Sequence, residues 1–160
     1  MSDNIDNVVK ETPIIAKGFD YETSKKTDKK IRMQIVSTPS LLKPFRNFVY
    51  EVSVSFGIKK EIAFDLKLIS NEVVSNIIKH AYRFELGWIF FEFLFHRTYV
   101  ELRFRDFGKY SVQPTDFVMK DLSDIRDRGI GLYLISNISD YYYIKNSEEM
   151  GNLFIVKKRI

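Results

Sequence analysis

Three short stretches of this chain carry residues whose types and spacing could do chemistry. FDLKLISNEVVSNIIKHAYR, residues 64–83, sets Glu72, Asn76 and His80 four apart, close to one helical turn. A carboxylate and a carboxamide on one stripe could bind a hard cation and orient or deprotonate a hydroxyl. ELRFRDFGKY, residues 101–110, runs along a strand-like alternation into Asp106-Phe107-Gly108. There an acceptor precedes a glycine that lets backbone and ligand approach closely. DRGIGLYLIS, residues 127–136, sets Gly129, Ile130 and Gly131 ahead of an apolar helical run beginning at Leu132. Free N–H groups at a helix start can cradle phosphates, and Arg128 stands just before them.

Each stretch also has an ordinary reading. At 100° per residue, Leu66, Ile69, Val73 and Ile77 fall within about 60° of one another, a core stripe. Glu72, Asn76 and His80 lie directly beside it, where boundary polar residues are common, and His80 reads as a helix-packing residue. Asp-Phe-Gly holds magnesium in eukaryotic-type protein kinases, but those need a glycine-rich loop, a lysine strand and a His-Arg-Asp loop earlier in the chain. None of the three is present. The RGIG segment as half of a dinucleotide fingerprint lacks the third glycine and follows a charged loop rather than a buried strand.

The elements that must position these residues follow from periodicity. Ile31, Met33 and Ile35 alternate with Arg32 and Gln34, the period of a half-buried strand. Ser37 or Thr38 can cap a helix over about 41–56, with Pro44 in its first turn and Gly57 ending it. A second helix spans about 60–82. Strands follow at 88–95 and 99–106, the second alternating Val100, Leu102 and Phe104 with Glu101, Arg103 and Arg105. After an irregular, charged stretch over 109–128 come a helix from 131 to 139 and a closing hairpin across SEEMG. Hairpin strands and few helices predict an α+β fold, a two-layer sandwich with helices on one face of a mixed, mostly antiparallel sheet.

The chain of 160 residues suits one domain, here 31–160, preceded by a polar, flexible extension over 1–30. With no cysteine and two histidines, thiolate sites, disulfides and multi-histidine metal sites are excluded. The net charge of +4 is spread along the chain, and KKTDKK at 25–30 reads as a solvated tail, so no nucleic-acid partner is expected. No apolar run reaches the roughly 20 residues that span a bilayer, and the first residues lack a signal-peptide pattern. A soluble, cytoplasmic protein without membrane association is expected.

EVVSNIIKHAY resembles the N-box of the Bergerat-type (GHKL) ATPases, whose members include the gyrase ATPase and histidine-kinase catalytic domains. RDFGK then resembles the G1 box, DRGIGLYLIS the G2 box and GNLFIVKK the last strand, in the family's order over residues 31–160. The match is greatest to the small anti-sigma-factor serine kinases. The resemblance implies an ATP-binding protein-serine kinase using Mg²⁺, with Asn76 on the metal and Glu72 activating the substrate serine. It implies that Asp106 takes the adenine amino proton and that Gly108 admits the base. Arg128, Gly129, Ile130, Gly131 and Leu132 would hold the phosphates. Implied partners are an anti-sigma-factor antagonist as substrate, a sigma factor held inactive, and a second copy in a homodimer. One position departs: Tyr110 stands where the G1 box usually has its second glycine. That departure supports an alternative, a catalytically weak or inactive ATP-binding module that works by binding partners.

Overall fold

Alternating and helical patterning produce the two expected layers. The computed structural model describes residues 14–17, 29–109 and 131–160. Six strands form one sheet: β1 (Ile14–Lys17), β2 (Lys29–Val36), β3 (Trp88–Phe95), β4 (Tyr99–Asp106), β5 (Tyr141–Ser147) and β6 (Gly151–Arg159). Their order is β1-β5-β6-β4-β3-β2, and every neighbouring pair among them is antiparallel. Among the described residues the helices are α1 (Leu42–Ser55), α2 (Lys60–Asn76) and α3 (Gly131–Ile138). A 3-10 turn, Pro39–Leu41, leads into α1, and a π-helical turn, Ile77–Ala81, extends α2. No helix among the described residues is long and apolar enough to cross a membrane.

Strand register explains where the core ends and the site begins. Met33, Phe91, Phe104, Phe154 and Ile144 stand opposite one another in a row across five strands. The last four belong to the hydrophobic cluster that α1, α2 and α3 cover through Phe45, Leu66, Val73 and Ile135, and Met33 packs against it. Phe45 of α1 sets its ring edge-on to Phe91, with centroids 4.9 Å apart, a geometry worth about 0.5–1.5 kcal/mol beyond its buried area. Two residues further along each strand the next row reads Ile35, Ile89, Asp106, Asn152 and Asn146. The helix-facing side of the sheet thus turns polar at one end of β4, β5 and β6.

The far end of α3 is tied down. Lys158 Nζ pairs with Asp65 of α2 at 3.0 Å and donates to the Ile138 carbonyl at 2.6 Å. A cation on a helix's final carbonyl satisfies a group the helix leaves unpaired and opposes its dipole. Anchoring α3 there fixes where its first residue, Gly131, lies.

Two local expectations change. Neither Ser37 nor Thr38 caps a helix with its side chain. Ser37 is buried beside the start of β3, where its hydroxyl donates to the Glu85 carbonyl (2.9 Å) and accepts from the Gly87 N–H (2.8 Å). A buried hydroxyl must be paired, and the 85–87 segment offers both partners. Within the segment expected to be a flexible extension, Ile14–Lys17 pair with β5 as the outermost strand. Gly57, expected as the stop for α1, follows that helix at φ 84°.

Candidate active site

The polar end of the sheet meets the end of α2 around a cleft. Asn76, His80, Asp106, Asn146 and Asn152 supply its polar surface, and Val73, Ile77, Ala81, Ile144 and Phe154 its apolar walls. Such a mixture, mostly apolar with a few convergent polar groups, is what a small-molecule pocket requires.

Asp106 is the best-defined group. It is only 4% exposed, and its Oδ1 accepts from the Gly108 N–H at 2.9 Å and from Asn152 Nδ2 at 2.8 Å. The same Asn152 amide donates to the Gly108 carbonyl at 3.2 Å. Asn152 therefore closes the Asp106–Gly108 turn from the neighbouring strand. Oδ2 of Asp106 has no hydrogen-bond partner among the described residues. Burial pushes the Asp106 carboxyl up to about 6, outweighing the two donors that pull it down.

Gly108 earns its place by contact. A Cβ there would lie 2.5 Å from the Ala81 carbonyl carbon and 2.7 Å from Ala81 Cβ. The chain after β4 is thus pressed against the last turn of the α2 segment. Tyr82 fastens the same junction: its hydroxyl donates to the Trp88 carbonyl (2.8 Å) and accepts from the Phe107 N–H (3.0 Å). Burial is the main reason its phenol is raised above the usual tyrosine range.

Along α2, Asn76 lies at the boundary between the regular helix and the π-helical turn, where Tyr82 N–H bonds Ile77 O five residues back. Single π-turns are frequent at functional sites. The Asn76 Nδ2 is buried and makes no hydrogen bond. An amide nitrogen left in this state costs about 1–3 kcal/mol unless an acceptor meets it, which suits a residue that completes its bonding with a ligand oxygen such as a phosphate's. An amide oxygen is also a donor Mg²⁺ accepts, the remaining positions falling to phosphates and water. No cluster of three or more acidic or histidine side chains able to cage a metal occurs among the described residues. The residues present fit a Mg²⁺ that takes most of its oxygen ligands from elsewhere.

Glu72, one turn before Asn76, faces α3. A Cβ on Gly131 would lie 3.2 Å from Glu72 Cδ and far inside contact distance of its Oε2. The glycine at the start of α3 is therefore the room the carboxylate occupies. Oε1 accepts from Asn71 Nδ2 at 3.0 Å.

The sequence-predicted residues thus separate clearly. Asp106 and Asn76 line one cleft, Gly108 packs against Ala81 in its wall, and Glu72 and Gly131 touch a turn away along α2. The Leu132 side chain belongs to the core, so only its backbone is open to a ligand role. His80 corrects its expectation: it is exposed and lines the cleft instead of packing a helix. Arg128, Gly129, Ile130 and the departing Tyr110 lie outside the described residues. Asn146 and Asn152 were not singled out from the sequence. Their signal was only the register that sets Asn152 opposite Asp106.

A family model described as "Histidine kinase-like ATPase domain" matches residues 35–158. The chain is 28% identical over 129 residues to "Serine-protein kinase RsbW" of Bacillus thuringiensis (strain Al Hakam), covering 76% of this chain and 80% of that protein. The protein of the same name from Listeria monocytogenes serovar 1/2a is 28% identical over 143 residues, covering 82% and 90% respectively. With 124 consecutive positions spanned by the family model, this chain belongs to the histidine kinase-like ATPase domain family.

Proposed function

We propose that the protein is an ATP-dependent protein-serine kinase and anti-sigma regulator that phosphorylates an anti-sigma-factor antagonist in a partner-switching pathway. The observation that carries the reading is Glu72 held against Gly131 one turn from Asn76, with Asp106 at the other end of the same helix segment. A pure nucleotide binder needs Asn76, Asp106 and the glycines, but has no use for a carboxylate fixed at the start of α3. The relatives named serine-protein kinases support the class of reaction.

Bound MgATP would supply the phosphoryl group and the charge that activates it. Asp106 Oδ2 would accept the adenine amino hydrogen, and Gly108 would keep the backbone flat enough for the ring to lie close. Asn76 would bind Mg²⁺ through its carbonyl oxygen. The backbone N–H groups of Gly129, Ile130, Gly131 and Leu132, with the Arg128 guanidinium, would receive the phosphates. Glu72 would orient the incoming serine hydroxyl and take its proton. A sigma factor and a second copy of the chain complete the proposed set of partners.

The test pairs binding with transfer. Wild-type protein, Glu72→Ala and Asn76→Ala are each given labelled ATP, Mg²⁺ and purified antagonist proteins from the same organism. Wild type should label one antagonist on serine; Glu72→Ala should bind ATP within a few-fold and label nothing; Asn76→Ala should lose Mg²⁺-dependent binding. ATP binding by wild type with no antagonist labelled would replace the kinase reading with the binding-module one.

A further inference from the structure

Glu72 is not left to find its own orientation. Asn71, its neighbour in sequence, donates from Nδ2 to Glu72 Oε1 at 3.0 Å, and its Oδ1 accepts from Arg46 Nη1 of α1 at 3.1 Å. Adjacent residues on a helix point about 100° apart and do not normally face each other. A bond between residues 71 and 72 therefore needs a third group to turn the amide. Arg46 is that group, reaching across from the neighbouring helix 25 positions earlier in the chain.

The chemistry allows only one orientation of the amide. A guanidinium can only donate and a carboxylate can only accept, so Asn71 must turn oxygen to Arg46 and nitrogen to Glu72. Arg46 commits to this bond although its Nε is buried without any hydrogen-bond partner. On the far side, Gly131 leaves the space that Glu72 Oε2 fills. The carboxylate is thus gripped at one oxygen and walled at the other.

We propose that Arg46 and Asn71 form a positioning relay that aims Glu72 at the start of α3, resting on the kinase reading above for what Glu72 then does. The interposed amide matters. Arg46 bonded directly to Glu72 would neutralise the carboxylate and blunt it as a proton acceptor, whereas a neutral carboxamide passes on direction without passing on the full charge. Neither Arg46 nor Asn71 lines the cleft at Asp106, so base recognition is independent of the relay.

The experiment uses the full chain and the variants Arg46→Met, Arg46→Lys, Asn71→Ala and Asn71→Asp, each checked for folding by its melting transition. ATP and ADP affinity and the KM for ATP should stay within about twofold of wild type. The kcat for phosphoryl transfer should fall about 10- to 100-fold in Arg46→Met and Asn71→Ala, and further in Asn71→Asp, where two carboxylates would compete for Arg46. Arg46→Lys keeps a donor and should recover part of the loss. Combining Arg46→Met with Asn71→Ala should cost no more than either alone. Equal losses in kcat and ATP affinity, or additive losses in the double variant, would overturn the relay. A second readout needs no catalysis. The side-chain amide signals of Asn71 in a proton–nitrogen NMR spectrum should move in both Arg46→Met and Glu72→Gln, and indifference to either change would overturn the relay. Absence of transfer by wild type would count against the kinase reading, and the NMR arm would still decide the relay.

Discussion

Gly131→Ala offers a sharp test because its penalty should depend on one other side chain. An added Cβ would lie 3.2 Å from Glu72 Cδ and much closer to Oε2, so the carboxylate must swing away. Swinging breaks the Asn71–Glu72 hydrogen bond of 3.0 Å, worth about 1–2 kcal/mol, and pushes Glu72 off its rotamer for about another 0.5–1 kcal/mol. Against this, alanine is a better helix former than glycine by up to about 1 kcal/mol. The net expectation is a loss of about 1–2 kcal/mol in wild type. In a Glu72→Ala background the clash is gone and only the helix preference remains, so the same substitution should stabilise by about 0.5–1 kcal/mol. Urea unfolding of the four proteins measures the coupling directly, expected at about 1.5–3 kcal/mol. Should Gly131→Ala cost the same in both backgrounds, the glycine is not there to house the carboxylate, and the placement of Glu72 at the start of α3 fails.

Other consequences concern the opposite end of the cleft. Asp106 holds its proton up to about 6 in the folded protein against an ordinary 3.8, so between those values only the folded chain is protonated there. Stability should therefore fall as pH rises from about 4 to about 6, by up to about 3 kcal/mol, a slope that Asp106→Asn should abolish in denaturant melts across that range. Asn152→Ala removes the donor at 2.8 Å and should raise the Asp106 carboxyl by about one further unit in a carbon-detected NMR titration. Gly108→Ala sets a Cβ 2.5 Å from backbone that cannot rotate away and should cost about 2–4 kcal/mol in thermal unfolding. Tyr82→Phe loses hydrogen bonds to Trp88 and Phe107 and should cost about 1–2 kcal/mol while loosening amide exchange at Phe107.

Much of this was legible because it is local. The apolar run over 88–95 and the alternation in 99–106 marked β3 and β4 to the residue, since a two-residue period has one reading when one face is buried. The spacing of Glu72 and Asn76 likewise survives folding because a helix preserves it. What stayed hidden is relational. Asn152 stands 46 positions from Asp106, and only the β4–β6 register brings them together. Arg46 and Asn71 meet through the packing of two helices, which no pattern within either helix announces. β1 is four residues in a polar stretch, too short for a period to show, and Ser37 looked like a cap because its partners lie about 50 residues away.

The π-helical turn at Ile77–Ala81 gives the site a phase. Asn76 stands just before it, and Ala81, at its end, is the surface on which Gly108 and hence Asp106 rest. One wide turn therefore sets the angular offset between the residue assigned to the metal and the strand end assigned to the base. Tightening its five residues to ordinary helical pitch, about 100° each in place of about 80°, would rotate everything beyond by about 90°. On the proposed function, the two ends of a bound nucleotide would be keyed to each other through that turn, as the bit of a key is cut relative to its shank. A tightened turn would leave each end chemically intact, yet out of register with the other.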